Sequence, residues 1–297
     1  MKHLRFIFSF VFVFLILFPI DTIAKSGPTV CVAVLENVDP QNWGSKISFP
    51  CPRVRVAFGK AGTEWAALSK PPASKMNWSV FYRGQKIGTA QSKKVNVSGH
   101  PGWVGLQKVT LSKGILRPKA GKDQRAYFEG QNIIRPLMLT TLDKPYDSEN
   151  WKESKLTPVE KALAIKAFRT KFPKLERCAT SGEPPAKMVP YTDKQLLFLM
   201  IYRSNKNELV YGIQFDPQNN TCQNNDDENF KDQWYVMDAK RNIRSIGSVL
   251  NPIGMADLDG DGQTEWVFYH FEGEQRESYI LFYDDFAKLV NFGWSYR

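Results

Sequence analysis

Short runs of apolar or alternating residues, separated by turn-forming residues, recur along most of this 297-residue chain. Residues 53–58 (RVRVAF) alternate polar and apolar side chains, as a strand does when one of its faces is buried. Residues 195–202 (QLLFLMIY) are almost continuously apolar, which is typical of a buried strand. Further runs of strand length lie at 63–68, 78–82, 86–89, 104–111, 209–215, 234–237, 266–271, 279–283 and 288–294. The sequence therefore predicts a mainly β fold.

One helix is predicted within this β pattern. Residues 157–160 (Thr-Pro-Val-Glu) form a capping box, with proline at the first helical position. Ile165, Phe168 and Phe172 follow at helical spacing and give the helix one apolar packing face. Pro173 cannot continue the helix and is expected to end it.

The helix lies near the middle of the chain and suggests a boundary between two regions at 150–157. We predict an N-terminal β-rich region at 25–150 and a C-terminal region at 151–297 that holds the helix and further strands. Residues 112–156 carry weak strand signals together with proline and aspartate, and are predicted to be an irregular connection.

A weak internal repeat occurs in the C-terminal region. Residues 238–247 share their spacing with 284–293 at an offset of 46 residues, and Glu208-Leu-Val-Tyr resembles Glu265-Trp-Val-Phe at an offset of 57. An insertion around Cys222 accounts for the difference. Strand units of about 40–50 residues are typical of propeller blades or stacked meanders. Because hairpins resemble one another, chance is the alternative explanation.

Residues 1–24 have the three parts of a secretory signal peptide. Lys2 and Arg5 form a positive start, residues 6–20 are almost entirely apolar, and residues 22–24 (Thr-Ile-Ala) suit cleavage. The apolar run is shorter than the roughly 18–20 residues of a membrane-spanning helix. We therefore predict a secreted or periplasmic protein without a transmembrane segment after cleavage; a retained N-terminal anchor is the alternative.

The chain is basic, with a formal charge of +10, of which +9 remains once residues 1–24 are removed. Outside the cell membrane, this charge suits an anionic glycan, a lipid head group or an acidic protein as partner, and no nucleic acid is expected there. Lysine and arginine are dispersed among acidic residues, so a well-solvated surface is the alternative explanation for the charge.

The four cysteines are Cys31, Cys51, Cys178 and Cys222. An even number in an exported chain predicts disulfides, and three pairings are possible. We favour Cys31–Cys51 with Cys178–Cys222, because each pair then stays within one half of the chain. A zinc site is disfavoured because the sequence has no Cys-x-x-Cys.

Carboxylates alternate along residues 257–265, Asp-Leu-Asp-Gly-Asp-Gly-Gln-Thr-Glu. Glycines between them permit a tight, partly left-handed loop in which the carboxylates turn inward. Calcium takes six to eight hard oxygen ligands in flexible geometry, which this segment can supply. The candidate ligands are Asp257, Asp259, Asp261, Gln263 and Glu265. We predict a structural calcium site here; an Asp/Gly-rich turn without metal is the alternative.

This loop does not fit an EF-hand, because Phe268 stands at the twelfth position and a strand-like run follows. It resembles instead the calcium loop of integrin-type FG-GAP and VCBS repeats, in which Asp-x-Asp-x-Asp-Gly-x-x-Asp joins two strands of a propeller blade. The resemblance covers only residues 257–268. It implies side-chain ligands at Asp257, Asp259, Asp261 and Glu265 and a backbone ligand at Gln263; Glu265 replaces the usual aspartate.

No catalytic motif is apparent in the sequence. His270, His100 and the Asp284–Asp285 pair could serve acid–base chemistry, but packing or turn roles explain them better. We therefore expect a calcium-stabilised, non-enzymatic binding or interaction protein of unknown ligand. A secreted polysaccharide-acting hydrolase and a structural envelope component are the alternatives.

Overall fold

The computed structural model describes residues 30–38, 51–68, 75–82, 84–95, 106–113, 115, 136–177, 187–216, 232–271 and 276–295. This part of the chain is mainly β with one α-helix, as the sequence predicts. Among the same residues, no helix is long and apolar enough to span a membrane.

The first sheet has seven antiparallel strands, all from the N-terminal region. They are β1 (Val30–Val38), β2 (Cys51–Ala61), β3 (Glu64–Ala67), β4 (Asn77–Tyr82), β5 (Gln85–Val95), β6 (Leu106–Leu111) and β7 (Leu137–Thr140). Their order is β1-β7-β4-β5-β6-β2-β3, and β1 also pairs with β2. β2 pairs with β3 and β4 with β5 as two antiparallel hairpins.

Two strands contradict the irregular connection predicted at 112–156. All four residues of β7 are buried, and the strand lies between β1 and β4 in the first sheet. Three apolar residues followed by a threonine are too few to show a periodicity, so the sequence pattern missed this central strand. A second short strand, β8 (Lys152–Glu153), also falls inside that connection.

The rest of the C-terminal region adds the helix and two larger sheets. Its elements are α1 (Pro158–Lys171), β9 (Leu175–Arg177), β10 (Lys187–Val189), β11 (Leu196–Arg203), β12 (Leu209–Phe215), β13 (Gln233–Met237), β14 (Ile243–Ser248), β15 (Leu250–Ala256), β16 (Glu265–Phe271), β17 (Arg276–Tyr283) and β18 (Lys288–Ser295). The second sheet has the order β14-β13-β12-β11-β8, and the third is β15-β16-β17-β18. β9 and β10 form a separate pair.

Strands β11–β14 and β15–β18 are two successive four-stranded meanders. The two matches of the internal repeat fall at equivalent places in them. Residues 238–247 and 284–293 each span the last hairpin turn and most of the last strand. Glu208 immediately precedes the second strand of its meander, and Glu265 is the first residue of the second strand in the other. The spacing seen in the sequence therefore coincides with repeated topology.

The third sheet lies between the other two, because its side chains alternate between two cores. One core contains Val267, Tyr269, Tyr279 and Leu281 together with Val32, Val34 and Phe58 of the first sheet. The other contains Trp266, Phe268, Ile280 and Phe282 together with Tyr202, Val210 and Trp234 of the second sheet. The regions on the two sides of the predicted boundary at 150–157 therefore share a core.

The helix covers the opposite face of the second sheet. Its capping box is confirmed, since the Glu160 amide donates to Thr157 Oγ1 (3.3 Å) and Glu160 Oε2 accepts from the Thr157 amide (2.7 Å). Phe168 is buried and its ring contacts that of Phe215 on β12, with centroids 5.2 Å apart. The layers are thus first sheet, third sheet, second sheet and helix.

The register of β1 and β2 separates Cys31 from Cys51. Cys31 lies opposite Gly59, and Cys51 is eight residues from Gly59 on the same strand, about 26 Å away. Because a disulfide joins Cα atoms about 4.4–6.8 Å apart, the structure does not form the favoured Cys31–Cys51 bridge. Cys31 is free and buried, and burial raises the pKa of its thiol to about 11. Cys178 and Cys222 lie outside the described residues, so their pairing stays a prediction.

Candidate metal centre

The acidic loop 257–265 connects β15 to β16, the first two strands of the third sheet. Gly260 and Gly262 have φ of +83° and +88°, a left-handed backbone that favours glycine. This backbone turns both amides toward the Asp257 carboxylate, which accepts from Gly260 N (2.6 Å) and Gly262 N (3.0 Å). Asp257 therefore shapes the loop from within.

Three of the five predicted ligands converge. One carboxylate oxygen each from Asp257, Asp259 and Glu265 lies within 4.8 Å of the others. Asp261 is exposed and stands outside this group, and its Oδ1 accepts from the backbone amide of Gln263 (2.9 Å). The fold thus brings together the two ends of the loop and its third residue, and leaves Asp261 at the rim.

The converging acids are poorly solvated. Glu265 is 1% exposed, and its pKa rises to about 9, first because of burial and then because of the charge on Asp259. The backbone amide of Leu258 donates to Glu265 Oε2 (2.5 Å) and opposes the rise only in part. Burial likewise raises the pKa of Asp257. These groups would gain most from a cation, because it would compensate several carboxylates at once.

A lysine from the first sheet reaches this loop. Lys60, on β2, donates from Nζ to Asp259 Oδ2, and the same nitrogen is 3.7 Å from Asp261 Oδ2. Burial alone would lower the pKa of Lys60, but the hydrogen bond to Asp259 and the nearby acids together raise it. Sequence reasoning missed Lys60 because only the packing of the first sheet on the third brings it to the loop.

Residues 146–148 brace the loop from another side. The Asp257 amide donates to the Tyr146 carbonyl (2.6 Å), and Ser148 Oγ donates to the Gly262 carbonyl (2.5 Å). Thr264 Oγ1 donates to Asp147 Oδ1 (3.1 Å). These contacts were also missed, since residues 146–148 fall in the predicted irregular connection. A change in the shape of the loop would therefore alter its hydrogen bonds to residues 146–148.

The residues considered for acid–base chemistry stand outside the acidic group. His270 is half-buried, with Nδ1 3.5 Å from Ser278 Oγ on the neighbouring strand. Asp284 and Asp285 are exposed in the β17–β18 turn, where both have left-handed backbones (φ +55° and +50°). Those positions agree with the packing and turn roles expected for them. His100 lies outside the described residues.

No protein-family model, curated protein or solved structure matches this chain.

Proposed function

We propose that this chain is an exported, calcium-stabilised binding module without enzymatic activity. The observation that carries the proposal is the convergence of Asp257, Asp259 and Glu265 in one loop, where burial raises the pKa of both Asp257 and Glu265. The loop also joins the first two strands of a four-stranded meander, in keeping with the blade loops that it resembles. The predicted leader supports an extracytoplasmic location, where millimolar calcium is common.

Calcium would be held by the three converging carboxylates, and the outlying Asp261 and the carbonyl of Gln263 are the residues available to extend the shell. The ion would favour the ionised form of Glu265 and relieve repulsion among the acids. Because the loop is hydrogen-bonded to residues 146–148, its stabilisation would extend to that segment. The role is structural, with calcium fixing a surface that binds something else.

Thermal unfolding of the purified protein in excess EDTA and in millimolar calcium tests the proposal. A ligand at 100 times its Kd stabilises the folded state by about 2.7 kcal/mol, which should raise Tm by several degrees. The shift should disappear in Asp259→Asn. The matched control is Asp143→Asn, because Asp143 is exposed and pairs with Lys86 on the surface.

Equal Tm values in EDTA and calcium would contradict the proposal, as would a shift that survives in Asp259→Asn. No observation on the described residues specifically supports the hydrolase hypothesis or the envelope-component hypothesis.

A further inference from the structure

An open cleft of about 350 Å³ lies where residues 146–153 meet the first, second and third sheets. Its lining combines three aromatic residues with polar side chains, among them Tyr146, Trp151, Tyr202, Asp147, Asn150 and Glu153. Small-ligand sites usually have a volume of about 300–1,000 Å³ and often lie at such junctions. We propose that this cleft binds a short stretch of a neutral glycan. The inference rests on the proposed binding function and names its site and ligand class.

Of the three aromatic residues that line the cleft, one is exposed and two are fixed by packing. Tyr146 is 65% exposed, although it is a large aromatic residue. Its backbone carbonyl accepts a hydrogen bond from the Asp257 amide of the loop. Trp151 and Tyr202 are almost buried, and both rings pack edge-on against Trp266, with centroids 5.1 Å and 5.4 Å away. The exposed Tyr146 ring therefore offers an apolar face on which the C–H groups of a sugar can pack at little entropic cost.

The polar lining is held in place by its own contacts. The Trp151 amide donates to Asp147 Oδ2 (2.6 Å), and Trp151 Nε1 donates to the buried Glu149 (3.0 Å). Asn150 has a left-handed backbone (φ +52°), an uncommon conformation outside glycine that asparagine tolerates better than most residues. Strained residues of this kind concentrate at ligand sites, because the surrounding structure must enforce them.

The charge of the lining selects the ligand class. Among the described lining residues, Asp147 and Glu153 contribute two carboxylates and Lys152 an ammonium, so an anionic ligand would meet net repulsion. A cation would find Asp147 already engaged, because its two oxygens accept from the Trp151 amide and from Thr264. A neutral polyhydroxylated ligand avoids both costs and can use the amide side chains of the lining, Asn150 and Gln85, as hydrogen-bond partners.

Calcium should act on this cleft through the loop. Tyr146 and Asp147 both line the cleft and both contact the loop, through Asp257 and Thr264 respectively. A calcium-filled loop would hold these two residues in place and reduce the ordering cost of ligand binding. Glycan affinity is therefore expected to fall at least threefold when calcium is removed.

The test uses saturation-transfer NMR on the full protein in calcium buffer. The probes are the trisaccharides maltotriose, cellotriose, xylotriose and N,N′,N″-triacetylchitotriose, with trigalacturonate as the acidic and glucosamine trimer as the basic comparison. At least one neutral trisaccharide should bind saturably. Tyr146→Ala should weaken it at least fivefold, and Tyr146→Phe should retain it because the ring face remains. The matched control is Leu289→Ala, since Leu289 is 55% exposed on β18 and outside the cleft.

Absence of binding by every neutral probe overturns the inference, as does binding restricted to a charged probe or unaffected by Tyr146→Ala. An EDTA arm separates the two proposals. A calcium-dependent Tm without any glycan binding would support the calcium site and contradict glycan binding in the cleft. Glycan affinity that is the same in EDTA and in calcium, with no calcium shift in Tm, would support the glycan cleft and contradict the calcium site.

Discussion

The ammonium group of Lys60 is hydrogen-bonded to the carboxylate of Asp259, although 199 residues separate them in the chain. Both side chains are largely buried, at 13% and 2% exposure. Because Lys60 belongs to the first sheet and Asp259 to a loop of the third, the ion pair joins two layers of the fold. It also puts a positive charge where the proposed calcium ion would bind.

Replacing Lys60 by methionine should therefore have opposite effects with and without calcium. Without the ion, Asp259 loses the ammonium of Lys60, and Tm in EDTA should fall. With the ion, Asp259 no longer has to release an ammonium, so calcium affinity should rise several-fold, where each tenfold equals about 1.4 kcal/mol. Calorimetric titration of Lys60→Met with calcium measures the change.

The control for this substitution is Lys86→Met. Lys86 pairs with Asp143 on the surface (2.7 Å), so its loss should leave calcium affinity unchanged. Weaker calcium binding in Lys60→Met would show that the lysine supports the site instead of competing for it.

A second ion pair lies within the first sheet, and a hydrogen bond from Tyr279 connects it to the third. Arg55 is 1% exposed and donates from Nε to Glu36 Oε1 (2.6 Å), while the Tyr279 hydroxyl of the third sheet donates to the same oxygen (2.6 Å). The guanidinium also lies 4.1 Å from the ring centroid of Trp294. Removing one member of a buried ion pair leaves the other charge uncompensated, so Glu36→Gln should lower the free energy of unfolding by about 3 kcal/mol.

Glu64→Gln is the matched control for Glu36→Gln. Glu64 also accepts from a tyrosine hydroxyl (Tyr283, 3.1 Å) and a basic group (Lys288, 3.3 Å), but it is exposed. Exposed ion pairs contribute little to stability. Urea unfolding should therefore separate the two variants clearly, and equal losses would mean that the Glu36–Arg55 pair is not buried in solution.

Local signals in the sequence explain which elements could be predicted. The capping box at Thr157 and Glu160 sets the start of α1, and alternation or continuous apolarity marked most strands. β15 was missed because Pro252 and Gly254 weaken a strand signal; the structure accommodates them at an irregularity between those residues in the pairing with β16. β7 was missed because it is short and fully buried.

Only part of the candidate site could be predicted from the sequence, for a different reason. The order of Asp and Gly along 257–265 identifies a loop with inward carboxylates, and that much is local. Which acids converge depends on the φ values that the loop adopts, and Asp261 turned out to lie at the rim. Lys60 and Tyr146 reach the loop through pairing and packing between distant segments, for which one sequence gives no local signal.

Gly84 illustrates a backbone requirement that can be tested directly. It has φ +71°, and a Cβ added there would lie 2.8 Å from Asp147 Cβ, at the edge of the proposed glycan cleft. Gly62 has a similar φ of +64°, with no atom within 4 Å of the added Cβ. Both alanine variants should lose about 1 kcal/mol from the left-handed backbone. Gly84→Ala should lose about 1–3 kcal/mol more through overpacking.

Urea unfolding of Gly84→Ala and Gly62→Ala measures that difference. Because Gly84→Ala also displaces Asp147, it should weaken the calcium response as well, whereas Gly62→Ala should not. If the two variants were equally stable, the turn at Gly84 would not approach Asp147 in solution.

The ion pair between Glu160 and Arg203 predicts a pH dependence. Arg203 Nη2 is 2.8 Å from Glu160 Oε2, and this hydrogen-bonded pair lowers the pKa of Glu160 from its ordinary 4.5 to about 2. Above pH 4.5 the carboxylate is ionised in both the folded and unfolded states, so the stabilisation is fully present there. As pH falls from 4.5 through 2, the unfolded state takes up the proton first, and the stabilisation is lost.

Glu160→Gln isolates this contribution because glutamine can still complete the capping box with Thr157. At pH 6 the variant should be less stable to urea by about 1.5–3 kcal/mol, the usual contribution of hydrogen bonds to charged groups. The gap to the unmodified protein should narrow steadily as pH falls from 4.5 toward 2. The control is Asp193→Asn, which breaks an exposed pair with Arg169 and should follow the unmodified protein. A gap for Glu160→Gln that stays constant over this range would assign its effect to packing and not to charge.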